Sequence, residues 1–441
     1  MSLTCSRLLE TLKGLPSADR AYVALSGGLD SCVLLHLLVS IKQVLPWSLQ
    51  VIHVNHGLQE EADRWQEFCE ALCTQYQVPV QTVRLGLRPK PGESLEAVAR
   101  EARYKAIAGV METGDLVFTA QHQDDQAETL LLQLLRGSGP AGIAGMPVVS
   151  RFHPGWLARP LLDYSRGSLE AYAEQHQLQW LEDPSNRDLR YDRNYIRHEV
   201  MPLLRSRWPS APVTLSRAAK FSGELQSLAK EEAQSDLESV ILPDRSGLSI
   251  QALRCLSSVR LRNLLRYWFN QQGAPTPHSK KLMRIELEVV NGRPDANPQV
   301  VWGKWQVQRY RDRLLLSRLP ADIVSPSIMV WEDKQELVLP GELGRLYTEP
   351  GRDGISAERW TEARVEVRFR VGGERCLPAG QAHHRPLKKL FQEWGIPPWE
   401  RSRLPLIYLD GELAAIPERM VCQPFAALPG ENAVKVRWTP Q

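Results

Sequence analysis

Val23-Ala24-Leu25-Ser26-Gly27-Gly28-Leu29-Asp30-Ser31 is the stretch whose reading decides the fold. Ala21 to Leu25 is apolar and β-prone, the run stops at Ser-Gly-Gly, and an apolar segment of helical length begins near Cys32. The order is therefore strand, tight loop, helix. Gly27 and Gly28 lack a Cβ, so the loop can take positive φ and approach a ligand closely. The first N–H groups of the following helix have no intrahelical acceptor and sit at the positive end of its dipole. Ser26 and Ser31 add hydroxyl donors, while Asp30 can hold a magnesium ion or an ammonium group. The junction suits a phosphate.

Two common nucleotide loops do not fit. The Walker pattern needs a Lys before its Ser/Thr, which is absent, and the G-x-G-x-x-G spacing fails as well. The S-G-G-x-D-S string resembles the signature of the PP-loop ATP pyrophosphatases, which grip the pyrophosphate end of ATP and pass AMP to an oxygen of a second substrate.

From Arg20 to Leu135 strands and helices alternate. Strands are expected at Ala21–Leu25, Leu49–Asn55, Val80–Leu85 and Asp115–Ala120, and helices at Ser31–Leu45, Gln59–Tyr76, Leu95–Glu112 and Asp124–Arg136. That pattern predicts an α/β, Rossmann-like parallel sheet covered on both faces. Ligands in such sheets collect beyond the carboxyl ends of the strands. Three segments share that rim: Ser26–Ser31, His53-Val54-Asn55-His56-Gly57, and Gln121 to Thr129. Asn55 and His56 can hydrogen-bond an adenine or ribose edge, or simply cap a turn. His122, Asp124, Asp125 and Glu128 crowd one helix start, where mutually repelling carboxylates call for a cation between them. A magnesium ion or a substrate ammonium would serve, and the helix dipole accounts for one or two of the acids. Arg100 and Arg103, three apart on a helix, can reach nucleotide or RNA phosphates or form a solvated face.

With 441 residues the chain needs two or three domains. Its 43% hydrophobic and 24% charged residues describe a globular protein, and a net charge of +3 leaves any nucleic-acid contact to local basic patches. Seven scattered cysteines without a C-x-x-C pair argue against a disulfide scaffold or zinc ribbon. No apolar run reaches the roughly 20 residues of a membrane span, and Met1 to Pro16 reads as an amphipathic helix rather than a signal peptide. A cytoplasmic protein is expected.

After Arg136-Gly137-Ser138-Gly139 and a helix at Ser165–Gln177 comes Glu182-Asp183-Pro184-Ser185-Asn186, then Tyr191-Asp192-Arg193-Asn194-Tyr195-Ile196-Arg197. Arginines interleaved with tyrosines suit phosphate contact and base stacking, or a salt-bridged surface helix. Together with Ser26–Ser31 and His122-Gln123-Asp124-Asp125-Gln126-Ala127-Glu128-Thr129, these motifs resemble the bacterial tRNA(Ile)-lysidine synthetase family over the first 200 or so residues.

The resemblance implies a reaction: O2 of the wobble cytidine of a CAU-anticodon tRNA(Ile) attacks the α-phosphorus of ATP, and free L-lysine then displaces AMP from C2 through its ε-amine. It implies Ser26, Gly27, Gly28, Leu29, Asp30, Ser31, Asn55 and His56 around ATP, and Asp30 and Asp124 on Mg2+. Asp30, Arg103, His122, Asp125 and Glu128 become catalytic. Arg100, Asp124, Asp125, Glu128, Arg193, Asn194 and Arg197 become substrate-binding, in a monomer or homodimer.

Beyond Met201-Pro202-Leu203-Leu204 the alternation ends. Helices are expected at Val213–Ser239 and Ile250–Gln272 and strands at Val300–Gln308 and Arg313–Ser317, a mostly helical domain over 213–318, which the resemblance implies contacts tRNA. Pro320, Pro326, Pro340 and Pro350 punctuate an expected linker, 319–360. The strand Val365–Arg370 opens a small β-rich (α+β) C-terminal domain, 361–441. There Arg385, Lys388 and Lys389 beside Phe391, Trp394 and Trp399 suit RNA, and the block resembles the C-terminal domain of the longer lysidine synthetases. The catalytic domain is then 1–212.

Two rival readings fit the residues less well. A PP-loop tRNA thiolase requires a cysteine pair at the rim, where only Cys32 is close. A nucleotide-gated RNA-binding module has no need of Asp30, Asp125 and Glu128 together.

Overall fold

The structure, a computed structural model, describes residues 3–57, 61–86, 95–293, 298–319, 328–341 and 343–440. The chain divides into two compact units, Met1–Glu232 and Ala233–Gln441.

In the first unit the glycine loop joins β1 (Arg20–Ala24) to α2 (Leu29–Ser40), preceded by the short helix α1 (Cys5–Lys13). Then follow β2 (Ser48–Asn55), α3 (Ala62–Tyr76), β3 (Val80–Arg84), α4 (Leu95–Val110), β4 (Leu116–Phe118) and α5 (Gln123–Leu135). Gln59, at the expected start of α3, lies outside the described residues. A hairpin, β5 (Val149–Phe152) and β6 (Gly155–Ala158), completes a six-stranded sheet of order β3-β2-β1-β4-β6-β5. All neighbours are parallel except β5 with β6.

Successive residues of β1 enter opposite layers, as the pleat demands. Ala21 and Val23 join Phe118 and α2 on one face, while Tyr22 joins Ile52, Val117, Ile107 and Met111 on the other. Helix α2 is apolar all round, with Leu34, Leu35, Leu37 and Leu38 at 0% exposure, so it must be internal. It packs against α1 and against the helix Arg166–Gln175. A sheet buried on both faces leaves one polar edge for ligands, the ends of β1, β2 and β4.

The second unit holds further cores. Helices Ser258–Gln271 and Ser279–Arg284 cover a four-stranded sheet containing Trp305–Tyr310 and Arg313–Arg318. The single helix expected at Ile250–Gln272 is broken. It stops at Leu253, and Ser257, whose hydroxyl accepts from Arg260 N, caps a new helix. The expected linker is also corrected: Pro320 and Pro326 lie outside the described residues, but Met329–Val330, Glu336–Val338, Arg345–Gly351 and Ile355–Ser356 are strands. Met329–Val330 pairs with Val365–Phe369, Arg345–Gly351 and Ile355–Ser356 pair with Ala433–Thr439, Glu336–Val338 pairs with Arg345–Gly351, and Trp331, Leu339, Leu346 and Trp360 sit in that core. The helix Leu387–Glu393 belongs to an adjoining core with Cys376 and Cys422.

Candidate active site

The glycine loop is built as its composition requires. Gly27 has φ +84°, and a Cβ there would lie 3.2 Å from the Cys69 sulfur. Ser31 Oγ accepts from Ser26 N (3.2 Å) and donates to Gly28 O (3.0 Å), closing the loop on the helix start. Gly28 is the helix N-cap and offers no side chain, so no side-chain cap occupies the first turn of α2. From above, Leu181 N donates to Gly27 O at 2.9 Å.

Beside the loop, His122 caps α5. Its backbone N–H donates to Asp125 Oδ2 (3.0 Å), and its imidazole is 1% exposed. His122 Nε2 lies 3.7 Å from Asp30 Oδ2 and 3.5 Å from Asp125 Oδ2, and Nδ1 lies 3.8 Å from Asp124 Oδ2. Burial pushes this histidine down, but the carboxylates of Asp125, Asp30 and Asp124 outweigh it and hold the ring above its usual range. The 3.4 Å contact from Asp125 N to Nδ1 belongs to the neutral ring, because a protonated Nδ1 can only donate.

The cation expected among the carboxylates is supplied by the chain itself. Arg197 donates through Nε to Glu128 Oε1 (2.7 Å) and through Nη2 to Glu128 Oε2 (2.8 Å) and Asp125 Oδ1 (3.0 Å). Arg193 donates to Glu128 Oε2 (3.0 Å) and Asp125 Oδ1 (2.8 Å). Burial raises the Asp125 carboxyl, but His122, Arg193 and Arg197 together draw it below its ordinary range. Asp124 accepts from Arg166 N (2.8 Å) and from the Arg205 guanidinium. Arg193 and Arg197, expected to stripe an RNA-facing surface, instead neutralise buried acids (side chains of Asp125 and Glu128 11% and 3% exposed).

Asp30 and Asp124, expected together on Mg2+, differ in what already surrounds their carboxylates. They approach opposite ring nitrogens of His122, and Asp124 is already satisfied by Arg205 and Arg166. Asp30 does fit a cation, since its Oδ1 is buried without a hydrogen-bond partner. Among the described residues no group of three or more His, Cys, Asp or Glu is arranged to hold a metal.

At the end of β2, Asn55 is spent on the fold. Its amide contacts Asp63 Oδ1 and Gln66 Oε1 (3.1 Å each), and its Oδ1 accepts from Gly57 N (2.9 Å). Asn194 is likewise structural, donating to Ser185 O (2.9 Å) and Asp188 O (3.0 Å). His56 keeps a buried, unpartnered Nδ1, and burial followed by Arg103 pushes it down to about 4, so it is neutral at physiological pH. His53 is an addition to the expected set: Nδ1 is 2.9 Å from Leu25 O, which fixes the tautomer and leaves the buried Nε2 as an unpaired acceptor. Its place on an apolar strand gave no separate signal.

These groups line one chamber of about 1240 Å³, together with Arg100 and Arg103 from α4 and Asp183. Arg385, Lys388 and Lys389 belong to the second unit, where Arg385 pairs with Glu393 and both lysines are exposed. The cysteines near the loop are buried, and burial lifts the Cys32 thiol to about 12 and Cys73 to about 11. Cys69 rises further for the same reason. Such thiols are inert as nucleophiles.

Comparison with known proteins identifies the family. Residues 2–204 match the PP-loop domain family, 248–315 the TilS substrate binding domain and 365–438 the TilS substrate C-terminal domain. A tRNA(Ile)-lysidine synthase of Methylococcus capsulatus is 42% identical over 97% of this chain and 98% of its own. The chain belongs to the tRNA(Ile)-lysidine synthase family. The member from Coxiella burnetii is 40% identical over 96% of this chain and 94% of its own. The family's three-part organisation thus accounts for the PP-loop sheet, the helical middle and the β-rich end seen here. Among solved structures, the U34-tRNA thiolase NcsA of Methanococcus maripaludis aligns with a TM-score of 0.43 at 18% identity, covering 50% of this chain and 77% of that one. No helix among the described residues is long and apolar enough to cross a membrane.

Proposed function

We propose that this chain is an ATP-dependent ligase that joins lysine to C2 of the wobble cytidine in CAU-anticodon tRNA(Ile), through an adenylated tRNA. The observation that carries the reading is the placement of His122, Asp125 and Glu128, all buried, in the same chamber as the uncapped glycine loop. Near-full-length similarity to enzymes of that name supports it.

The loop N–H groups with Ser26 and Ser31 hold the pyrophosphate, stabilising charge as it departs. Neutral His53 and His56 present ring nitrogens to the nucleoside, and Arg103 and Arg100 lie where the α-phosphate and the RNA strand enter. A magnesium ion bound with ATP would be held by Asp30 and would neutralise pyrophosphate charge; Asp124 joins only if Arg205 lets go. His122 Nε2, beside Asp30, places an N–H donor next to the phosphate loop.

Lysine suits the Asp125–Glu128–Arg193–Arg197 network because it brings both signs. Its ammonium takes the carboxylates and its own carboxylate takes the guanidinium groups that are released. The ε-amine, with a reference pKa near 10.4, must lose a proton before attack, and Glu128 or Asp125 is placed to receive it. We assign catalysis to 1–212, tRNA contact to 213–318, and further tRNA contact through Lys388 and Lys389 to a C-terminal domain that starts near 328 rather than 361.

The test is mass analysis of the wobble nucleoside after incubation with ATP, tRNA(Ile) and a panel of amines. Lysidine forming with lysine alone is expected; AMP release indifferent to lysine would overturn the reading.

A further inference from the structure

Three sulfur atoms meet in the core that carries the helix Leu387–Glu393, and nothing in the ligase chemistry uses them. Cys376 ends the strand Arg375–Cys376, while Met420 and Cys422 stand two residues apart on the strand Met420–Val421 and its continuation, so both point to one face of it. Cys376 Sγ lies 3.8 Å from Met420 Sδ. Cys376 and Cys422 are each 2% exposed, and their thiols are in hydrogen-bonding contact.

This arrangement does not suit a disulfide. The residue bridged to Cys422 across the backbone is Pro378, not Cys376. Residues set diagonally across two strands have Cα atoms about 7–8 Å apart, past the roughly 7 Å limit for a covalent bridge. It does suit a metal ion. Three sulfurs bonded to one ion at about 2.3 Å each form a triangle with edges of about 4 Å, close to the separation of Cys376 and Met420. Two thiols and a thioether are soft donors, and among the described residues no third His, Cys, Asp or Glu joins them. A set of three leaves zinc short of its fourth ligand, whereas soft sulfur sets select Cu(I). The surrounding core, with Leu387, Phe391 and Ile416 buried, excludes water that would compete for the ion. A ligand thiol must also lose its proton. The hydrogen bond with Cys422, aided by the nearby Arg385 guanidinium, outweighs burial and holds Cys376 below the usual thiol range, whereas burial lifts Cys32, Cys69 and Cys73.

We infer that Cys376, Met420 and Cys422 form a binding site for a soft monovalent metal ion, Cu(I), that staples the C-terminal core. On binding, Cu(I) takes the place of the proton on each thiol, both protons leave to solvent, and no oxidation state changes. The strand Arg375–Cys376 pairs with Arg385–Pro386, which runs straight into the helix Leu387–Glu393, so the ion ties three segments of the domain together. The inference does not depend on the ligase reading.

The experiment offers Cu(I), held as its bicinchoninate complex without oxygen, to the reduced full chain, to Met420→Leu and to a Cys376→Ala/Cys422→Ala variant, with thermal midpoints recorded for each. Wild type is expected to withdraw a single equivalent of copper and to show three sulfur neighbours at about 2.3 Å by X-ray absorption. Its midpoint should be at least about 3 °C higher with copper than without. Met420→Leu should bind at least about tenfold more weakly, and the double variant should lose both the uptake and the shift in melting. No uptake by wild type, or uptake unchanged in the folded double variant, overturns the inference. Where the double variant does not fold, Met420→Leu decides, and an affinity equal to wild type overturns the three-sulfur site. ATP, tRNA and lysine are left out throughout, so a failure of the ligase reading is seen separately.

Discussion

Arg197→Met removes the guanidinium that makes three of the hydrogen bonds to Asp125 and Glu128. Two buried carboxylates then share one guanidinium, Arg193, which retains a single bond to each, with the His122 ring still beside Asp125. Stranding a buried charge outright costs about 3–5 kcal/mol. Because Arg193 remains, about 2–3 kcal/mol is expected here, a thermal midpoint lower by roughly 4–12 °C for a unit of this size. The sign with pH follows from Asp125, whose carboxyl is held below its ordinary value. Its stabilisation is present above the unfolded pKa of about 3.9 and is lost as pH falls through the folded value. The gap between wild type and Arg197→Met should therefore be full at pH 7 and should close below about pH 4. Denaturant unfolding at several pH values measures it, and adding Glu128→Gln should recover at least about 1 kcal/mol of the loss. A variant within about 0.5 kcal/mol of wild type at pH 7, or a gap that widens in acid, would refute the view that these arginines neutralise the acids.

Gly27→Ala places a Cβ at φ +84° and 3.2 Å from the Cys69 sulfur, so a loss of about 1–2 kcal/mol in stability and weaker ATP binding by equilibrium dialysis are expected. Asp125→Asn should abolish lysine-dependent AMP release while tRNA affinity in filter binding stays within about tenfold. His122 is held above its usual range, so its contribution is complete below about pH 6.5 and is lost as pH rises through the folded pKa; His122→Gln should lack that alkaline decline in unfolding experiments. Ending the chain after Arg318 should weaken tRNA binding yet leave the first unit's melting unchanged, because the cores beyond that point are separate.

The first half of the chain is legible because its strands are buried on both faces and punctuated by glycine and acidic turns. The β5–β6 hairpin escaped: Val149–Phe152 and Gly155–Ala158 are four residues each, too short for a period to register. The 329–360 stretch reads as a linker because Pro340 and Pro350 break its pattern. Yet Pro350 sits near the end of Arg345–Gly351, opposite Val434 of a strand more than eighty residues away. The site's residues were visible as types, but their partners were not. Acids in one helical turn announce a need for positive charge, whereas only the fold reveals that Arg193 and Arg197, 65–72 residues on, meet it. Asn55 and Asn194 mislead for a related reason, since a polar side chain at a strand end or turn serves backbone as readily as ligand.

The contact from Leu181 N to Gly27 O joins the glycine loop to the segment that continues, through the turn Pro184–Arg187 pinned by Asn194, into Arg193 and Arg197. Loop and arginines are thus two ends of one short lever about a dozen residues long. A triphosphate that shifts the Gly27 carbonyl pulls on the arm that screens Asp125 and Glu128. The backbone at the phosphate loop and the arginines over the two acids are thus tied to one continuous stretch of chain, so neither can be repositioned by mutation without strain on the other.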